Sequence, residues 1–310
     1  MNILVTGGAG YIGSVLVPAL LANNHSVTVI DNFMYQQIPL LDVCYQSELK
    51  IVRGDVRNRE LIKKHMADVE VIMPLACLTG APLCDRFPEE AEAINLKSIE
   101  MIVALRRDEQ KIIFPTTNSG YGVGETSIFC TEETTLRPIS LYGRLKVAAE
   151  KTILESGNAI TLRLATVFGI SPRMRLDLLV NDFVYRAVTD RFIVLFESHF
   201  KRNFIHVRDV AAGFIHCLNH FAALKNEAYN LGLSEANLSK KELCEQIQQH
   251  VPDFYFVEAA VGEDPDKRNY VVSNEKIENT GFAPRVSLAE GIEELVKGYS
   301  VLRRNQFTNL

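Results

Sequence analysis

Ile3-Leu4-Val5-Thr6-Gly7-Gly8-Ala9-Gly10-Tyr11-Ile12-Gly13-Ser14 is a short apolar strand followed by glycines spaced three residues apart. Gly7 lets the chain turn sharply off the strand, Gly10 leaves room for a diphosphate, and Gly13 lets the next helix pack closely. The first N–H groups of that helix have no partner within it and point at an anion. The stretch therefore predicts a dinucleotide site, with contacts from Gly7, Gly10, Tyr11, Ile12 and Gly13.

An acidic residue ends the second predicted strand. Residues 26–30 form this strand, and Asp31 follows them. A carboxylate at this point accepts hydrogen bonds from both hydroxyls of an adenosine ribose and repels a 2′-phosphate. The pattern therefore favours NAD over NADP. The competing interpretation is an ordinary loop in which the glycines only permit turns.

The composition is that of an ordinary globular protein. Of 310 residues, 47% are hydrophobic and 23% are charged, and the formal net charge of −5 argues against a nucleic-acid partner. The six cysteines form neither Cys-x-x-Cys pairs nor zinc-like spacings, which is typical of a reducing cytosol. A strand at residue 2 leaves no room for a signal peptide, and no stretch approaches the ~20 apolar residues of a membrane span. We therefore expect a cytoplasmic protein without a membrane partner.

The first half of the chain alternates strands and helices. Apolar runs predict further strands at 49–53, 69–75, 111–114 and 159–164, and helices at 58–65, 85–107 and 141–156. Strands separated by helices pair in parallel through right-handed crossovers, which predicts an α/β fold with a doubly wound parallel Rossmann sheet. Ligands bind such sheets at the carboxyl ends of the strands.

The alternation ends near residue 166. Shorter strands then mix with helices: the strands are predicted at 192–196, 204–207, 228–231 and 254–257, and the helices at 208–221, 239–250 and 288–302. We expect an NAD-binding Rossmann domain over residues 1–166, with 205–222 returning to it. A smaller mixed α/β substrate domain would cover 167–310.

One predicted helix carries a tyrosine and a lysine four residues apart. Tyr142 and Lys146 share a face, about one turn apart, and Ser140 is the expected N-cap. A phenol with a pKa of about 10 is a weak base, but a nearby ammonium and an oxidised nicotinamide favour the phenolate. Tyr142 would then take a proton from a sugar hydroxyl, beside a hydroxyl supplied by Thr117. The competing interpretation makes Tyr142 a core aromatic and Lys146 a solvated charge.

These motifs resemble those of a known family. The matching residues are the glycine stretch, Asp31-Asn32, Gly54-Asp55-Val56, Leu75-Ala76, Asn95, Thr117, Tyr121-Gly122, Tyr142, Lys146, and the runs 163–169 and 202–209. Together they resemble the extended short-chain dehydrogenases, the NAD-dependent nucleotide-sugar epimerases and dehydratases. The likeness covers nearly the whole chain.

The resemblance implies roles for the matching residues. Cofactor contacts beyond the glycines would come from Asp31, Asn32, Asp55, Val56, Leu75, Ala76, Asn95, Tyr142 and Lys146. Thr117, Tyr142 and Lys146 would be catalytic. Substrate contacts would come from Thr117, Asn118, Ser119, Thr166, Asn181, Arg202 and Arg268. Among these, Arg202 and Arg268, the latter in Asp264-Pro265-Asp266-Lys267-Arg268, would hold phosphates of a sugar nucleotide.

Two departures from the family pattern limit the chemistry. The family's 4,6-dehydratases have Asp and Glu directly after the catalytic Thr, and these residues remove water from the sugar. This chain has Asn118 and Ser119 there, which do no proton work near neutral pH, so dehydration is not expected. Thr166 stands where many relatives have a substrate-binding Asn.

A narrower resemblance covers residues 74–76, 80–84, 117–125 and 163–177. These runs are similar to the GDP-heptose 4-dehydrogenases of bacterial capsule biosynthesis, in which NAD oxidises the C4 hydroxyl to a ketone. By this resemblance Arg173 and Arg175 would reach the substrate nucleotide. The competing interpretation is a solvated loop whose charge is offset by Asp177 and Asp182.

Two further features complete the expectations. His216 and His220 lie four residues apart on a predicted helix, but no third ligand is near in sequence, so no metal is expected. The helices near residues 91–105 and 145–154 carry apolar residues beyond one stripe, which predicts a homodimer through a four-helix bundle.

The leading hypothesis is an NAD-dependent enzyme that oxidises the C4 hydroxyl of a GDP- or UDP-linked sugar and releases the ketone. The alternative is a nucleotide-sugar 4-epimerase, which uses the same first half-reaction. A non-enzymatic NAD sensor is a more remote alternative, because such relatives commonly lack the tyrosine or the lysine. An NADP-dependent ketoreductase is disfavoured by Asp31.

Overall fold

The computed structural model describes residues 1–37, 39–124, 128–259, 261–262 and 267–302. Glu125, part of the narrower resemblance, and the run Asp264-Pro265-Asp266 lie outside the described residues.

The strands fall where the sequence alternates apolar runs with turns. In chain order they are β1 (Asn2–Thr6), β2 (Ser26–Asp31), β3 (Leu49–Arg53), β4 (Val71–Pro74), β5 (Lys111–Thr117), β6 (Phe129–Cys130), β7 (Ala159–Leu164), β8 (Thr166–Phe168), β9 (Phe192–Leu195), β10 (Lys201–His206), β11 (Glu227–Leu231), β12 (Asn237–Ser239), β13 (Tyr255–Glu258) and β14 (Val271–Val272).

The helices are mostly short and lie between the strands. They are α1 (Gly13–Ala22), α2 (Arg59–Met66), α3 (Ala81–Arg86), α4 (Pro88–Glu92), α5 (Ser98–Leu105), α6 (Leu141–Glu155), α7 (Leu179–Thr189), α8 (Val207–Asn219), α9 (Phe221–Leu224), α10 (Lys240–His250), α11 (Glu275–Glu278) and α12 (Leu288–Gly298). Single turns of other helical types occupy Leu41–Val43, Ala93–Lys97 and Asn118–Tyr121.

The main sheet has seven strands in the order β11-β7-β5-β4-β1-β2-β3, and its neighbours pair in parallel. Successive side chains of a strand point to opposite faces, so Ile3 and Val5 join the core beneath α1 and α8, whereas Leu4 joins the core beneath α2, α5 and α6. The sheet is thus buried on both sides. The predicted doubly wound parallel Rossmann sheet is confirmed.

The predicted helix over residues 85–107 is instead a series of short pieces. Phe87 leaves the helical conformation before Pro88, which cannot continue the preceding helix, and a wider helical turn spans Ala93–Lys97. Because apolar spacing continues across these breaks, the sequence pattern alone indicated one helix.

The strands outside the main sheet form smaller sheets. They are β12-β10-β8, β13-β9 and β14-β6. The sequence analysis grouped residues 228–231 with this smaller region, but β11 pairs with β7 at the edge of the main sheet. A short apolar run does not reveal which sheet edge it joins, since that depends on contacts far away in sequence.

Candidate active site

Close backbone contacts explain the glycines that follow β1. Gly7 has a φ of +70°, and a Cβ there would lie 2.5 Å from the backbone nitrogen of Ala76. A Cβ on Gly13 would lie 2.5 Å from the carbonyl oxygen of Gly8. Side chains at these two positions would therefore push the turn away from β4 and from the start of α1.

Asp31 connects the end of β2 to the glycine turn. Its carboxylate accepts the N–H of Ala9 at 3.0 Å and the N–H of Phe33 at 2.8 Å. The pKa of this carboxyl is raised above its ordinary value, because burial outweighs the two backbone N–H groups and the charge of Arg173, which act to lower it. The carboxylate is thus held in place at the carboxyl end of the sheet.

A single cavity of about 300 Å³ runs from the glycine turn across the ends of the strands. Predicted site residues on its wall are Gly7, Gly10, Tyr11, Ile12, Gly13, Asp31, Asn32, Asp55, Val56, Leu75, Ala76, Thr117, Ser119, Tyr142, Thr166, Arg173, Arg175 and Arg268. Residues more than 250 positions apart in sequence thus meet around one space.

Tyr142 lies in the first turn of α6. Ser140 caps the N-terminus of this helix, and its hydroxyl accepts the N–H of Gly143 at 3.1 Å. Burial raises the pKa of the Tyr142 phenol, and the positive charges of Arg175 and Arg268 act in the opposite direction. The phenol therefore depends on nearby cations for any ionisation.

Lys146 lies one turn further along α6 but is not part of the cavity wall. Its side chain is buried, and its Nζ lies 4.0 Å from the centre of the Phe114 ring. Burial lowers the pKa of this ammonium, and the neighbouring Cys77 and Glu150 act to raise it. In this structure the Lys146 ammonium therefore lies against the Phe114 ring, off the cavity wall.

A chain of polar groups leads away from Thr117. The Thr117 hydroxyl donates to the Ser119 hydroxyl at 3.0 Å and accepts the N–H of Ser119 at 3.1 Å. Arg268 in turn donates from Nη1 to the Ser119 hydroxyl. The arginine predicted to bind a phosphate thus reaches the reaction centre, close enough for its charge to affect Tyr142.

Four other predicted contact residues lie off the cavity wall. Asn95 Oδ1 accepts the N–H of Leu78 at 2.8 Å, and Asn95 Nδ2 donates to the carbonyl of Leu78 at 2.9 Å. The Asn95 side chain thus supports a backbone segment that lines the cavity. Asn181 donates to Tyr11 Oη at 3.2 Å and to the carbonyl of Arg175 at 2.9 Å. Both residues position the wall rather than form it.

Asn118 and Arg202 are also buried away from the cavity. The Asn118 side chain is 1% exposed and has no hydrogen-bond partner among the described residues. Arg202 lies on β10 with its guanidinium 5.5 Å from the centre of the Tyr270 ring, and Tyr270 lines the cavity. The structure therefore brings Ser119 and Arg268, but not these two residues, to the site.

Tyr35, Cys77 and Tyr270 line the cavity, but the sequence analysis did not predict them as contacts. Cys77 follows Ala76 directly, and Tyr35 lies in the loop after Asp31-Asn32, so their positions after strands were signals that could have found them. Tyr270 comes from the remote segment next to Arg268, and no local pattern indicates its place.

No group of three potential metal ligands among His, Cys, Asp and Glu occurs in the part of the chain that the structure describes. His216 Nε2 lies 2.8 Å from Thr280 Oγ1, and His220 Nδ1 lies 2.9 Å from the carbonyl of His216. Over the same residues, no helix combines the length and the apolar character that crossing a membrane takes.

The fold and cavity match a large group of known proteins. The model of the NAD dependent epimerase/dehydratase family matches residues 3–232, well over half of the chain. The chain belongs to this family. It is an NAD-dependent enzyme of the extended short-chain dehydrogenase type, as the sequence motifs implied.

Individual relatives of this family member are distant in sequence but cover nearly all of it. A putative UDP-glucose 4-epimerase from Methanocaldococcus jannaschii is 28% identical over 95% of this chain and 97% of that protein. The structure of dTDP-glucose 4,6-dehydratase from Bacillus anthracis in complex with NAD is 25% identical, with a TM-score of 0.81 and coverage of 97% and 96%. UDP-glucose 4-epimerase from Thermotoga maritima, solved with UDP-glucose, is 23% identical, with a TM-score of 0.83 and coverage of 97% and 99%, which shows the fold alone.

The residues of the cavity fit NAD. Glycine is required at residues 7 and 13 because a Cβ there would collide with neighbouring backbone, and Gly10 between them lines the cavity without a side chain to occupy it. The Asp31 carboxylate lies on the same cavity wall, at the end of β2. This is the position of the acidic side chain that binds the adenosine ribose of NAD in such folds.

Proposed function

We propose that this enzyme is a nucleotide-sugar 4-epimerase that acts on a UDP-linked hexose. The observation that carries the proposal is the placement of Tyr142 and Thr117 on the wall of the same cavity as the glycine turn and Asp31. A sugar lying between the two hydroxyls would have one carbon and its oxygen within reach of both.

Each residue has a defined task in this proposal. The Thr117 hydroxyl, held by Ser119, orients the O4 oxygen of the sugar. The Tyr142 phenolate removes the proton from O4, and returns it when the ketone is reduced on its other face. Arg268 and Arg175 favour the phenolate through their charge. When bound, NAD would supply a nicotinamide that accepts the C4 hydrogen as hydride and returns it to the other face of the ketone.

Dehydration is disfavoured by the residues after Thr117. Removing water from the sugar needs an acid and a base at the neighbouring carbons. Asn118 is buried off the cavity wall, and the Ser119 hydroxyl is engaged by Thr117 and Arg268. Neither residue exchanges a proton near neutral pH. The cavity therefore supports oxidation at C4 without loss of water.

The relatives described above favour epimerisation over release of the ketone. Of these, the putative UDP-glucose 4-epimerase from Methanocaldococcus jannaschii supports epimerisation by its name, and none of the three is named for GDP-heptose. The resemblance to GDP-heptose 4-dehydrogenases leaves release of a ketone as the second candidate, with the same residues performing the oxidation.

The test is to incubate the purified enzyme separately with UDP-glucose, UDP-galactose, dTDP-glucose and a GDP-linked heptose. We expect UDP-glucose and UDP-galactose to interconvert, as seen by NMR at C4, without net formation of reduced cofactor. A free 4-ketone formed together with an equal amount of reduced cofactor would instead establish a dehydrogenase.

A further inference from the structure

The Tyr11 side chain links the glycine turn to the second half of the chain. Tyr11 Oη donates to the carbonyl of Gly169 at 2.6 Å and accepts from Asn181 Nδ2 at 3.2 Å. The tyrosine is 7% exposed, and burial raises the pKa of its phenol. The hydroxyl therefore stays neutral and serves as donor and acceptor at once.

Asn181 completes a closed set of hydrogen bonds around Gly169. Its Oδ1 accepts the N–H of Gly169 at 3.0 Å, so Tyr11 and Asn181 together hold both polar backbone groups of that glycine. Gly169 has a φ of +108°, and a Cβ there would collide with the imidazole of His206. The chain thus leaves β8 in a conformation that glycine adopts readily, and the two side chains fix its direction.

The same amide holds the loop that follows β8 (residues 169–178) at a second point. Asn181 Nδ2 donates to the carbonyl of Arg175 at 2.9 Å. One N–H of the amide can serve this carbonyl and the other Tyr11 Oη, while the amide oxygen serves Gly169. Asn181 is fully buried, and a buried amide with all of its groups engaged has little freedom to rotate.

A pair of serines ties this loop to the start of α1. Ser171 Oγ donates to the carbonyl of Tyr11 at 2.7 Å and lies 2.8 Å from Ser14 Oγ, and both serines are buried. The stretch from Gly169 to Arg175 is therefore bonded to the backbone of Tyr11 as well as to its side chain. The backbone of Arg175 is thus fixed relative to the glycine turn.

Arg175 and Tyr142 line the same cavity. The Arg175 guanidinium pairs with Asp177, with Nε 3.3 Å from Oδ1 and Nη2 2.5 Å from Oδ2. This two-point contact orients the planar group, and its positive charge acts on the phenol of Tyr142. Because the interaction of two charges varies inversely with their separation, a shift of the loop backbone changes how strongly Arg175 favours the phenolate.

We propose that Tyr11 and Asn181 are positioning residues for catalysis, which clamp the loop after β8 to the glycine turn and so hold the Arg175 guanidinium at a fixed distance from the Tyr142 hydroxyl. The turn expected to bind the NAD diphosphate thereby also supports a cation of the reaction centre. The inference rests on the proposed function in taking Tyr142 as the base. The clamp itself does not depend on which sugar is converted.

The first test is hydrogen exchange of the full-length enzyme, read by mass spectrometry over residues 169–178. Tyr11→Phe removes only the hydroxyl, and Asn181→Leu keeps the volume but removes every hydrogen bond of the amide. We expect both variants to exchange this segment about fivefold faster or more, as the loss of one hydrogen bond implies. Tyr229→Phe is the matched control, because its buried hydroxyl donates to the carbonyl of Leu224 at 3.3 Å, away from the cavity. It should leave the exchange of this segment unchanged.

The second test is the pH–kcat profile at saturating NAD, on the sugar nucleotide that the wild type converts. Tyr11→Phe and Asn181→Leu should move the acidic limb to higher pH, in the same direction as Arg175→Met, since a cation favours the phenolate less when it is displaced. Adding Tyr11→Phe to Arg175→Met should cause no further movement, because the cation that the clamp holds is already gone. Tyr229→Phe should again behave as wild type.

Unchanged exchange in both Tyr11→Phe and Asn181→Leu would overturn the clamp. Faster exchange with an acidic limb that stays in place would show that the two residues only stabilise the fold, and so would a limb that moves equally far with and without Arg175→Met. Either result would overturn the inference. Full turnover by Tyr142→Phe would instead overturn the proposed function and the link to Tyr142, while the clamp measured by hydrogen exchange would stand.

Discussion

At the scale of single residues, the site depends on how a buried phenol is made acidic. The sequence predicted that Lys146 would lower the pKa of Tyr142. In the structure, burial has the largest effect on the pKa of Tyr142 and raises it. The positive charges that act to lower this pKa are those of Arg175 and Arg268. Both arginines come from loops far from α6 in sequence, so a pattern within one helix could not reveal them.

We therefore expect Arg268→Met to move the acidic limb of the pH–kcat profile to higher pH. Loss of a positive charge disfavours the phenolate, so a higher pH is needed to ionise Tyr142. Arg186→Met serves as the control, since that residue lies outside the cavity. An acidic limb that stays in place, or moves to lower pH, would show that Arg268 does not act on the base.

The cofactor half of the site was more predictable than the substrate half. Gly7, Asp31 and Ala76 lie at or just after the ends of β1, β2 and β4, which are neighbours in the parallel sheet, and the ends of such strands meet whatever the later chain does. The expected substrate contacts Asn118 and Arg202 depended on side-chain direction, and the structure places both off the cavity wall.

At the scale of elements, a buried ion pair joins α6 to the sheet. Arg163 on β7 donates from Nη2 to Glu150 of α6 at 2.7 Å, and both side chains are buried. Arg163 also donates to Tyr121 Oη at 3.1 Å. Since Glu150 lies one turn beyond Lys146, the pair fixes the helix that carries Tyr142 and Lys146.

Arg163→Met should lower the free energy of unfolding by about 3–5 kcal/mol, because it leaves the Glu150 carboxylate buried without its partner. Adding Glu150→Gln to this variant should recover part of the loss, since the uncompensated charge is then removed. Urea unfolding of the wild type, both single variants and the double variant measures these differences. A double variant as unstable as the sum of the two single variants would contradict the coupling.

Glu294 on α12 holds together three segments near the loop that follows β8. Its carboxylate lies 2.5 Å from Arg208 Nη1 and 3.4 Å from His206 Nε2, and it accepts the N–H of Ile170 at 3.1 Å. Partial burial acts to raise its pKa, but the contacts with His206 and Arg208 outweigh burial and lower the pKa to about 2.

Glu294→Gln should therefore destabilise the fold by about 1–3 kcal/mol at neutral pH, since a charge-assisted contact is lost while the shape is kept. The carboxyl of the unfolded chain titrates near 4.5, so the stabilisation is complete above that pH and is lost as the pH falls towards 2. Thermal unfolding of wild type and variant between neutral and acidic pH should show the difference shrinking in this window. A difference that grows on acidification would contradict the account.

At the scale of the whole molecule, the parallel sheet could be predicted because strand and helix periods alternate through the first half. The position of β11 at the sheet edge could not, since it is set by pairing with β7 over more than sixty residues of intervening chain. The small sheet formed by β6 and β14 was also missed, because two-residue strands leave no periodic pattern.

The helices α5 and α6 pack side by side and retain half-buried apolar residues, among them Met101 and Ala148. We expect these helices to form a homodimer with their copies. Met101→Glu combined with Ala148→Glu should then yield a monomer by light scattering, because it buries charges in the interface. Tyr255→Glu, which alters an exposed residue on β13, is the control. A double variant that keeps the wild-type mass would place any interface elsewhere.

The central claim is that the Tyr142 hydroxyl exchanges the proton of the sugar O4 in the cavity that holds NAD. The most direct measurement compares kcat of the wild type, Tyr142→Phe and the exposed-site control Tyr255→Phe on the sugar nucleotide that the wild type converts, with NAD affinity measured in parallel. We expect Tyr142→Phe to lower kcat by about 10²- to 10⁴-fold while NAD affinity is retained, and the control to behave as wild type. A Tyr142→Phe enzyme that turns over at the wild-type rate would contradict the account.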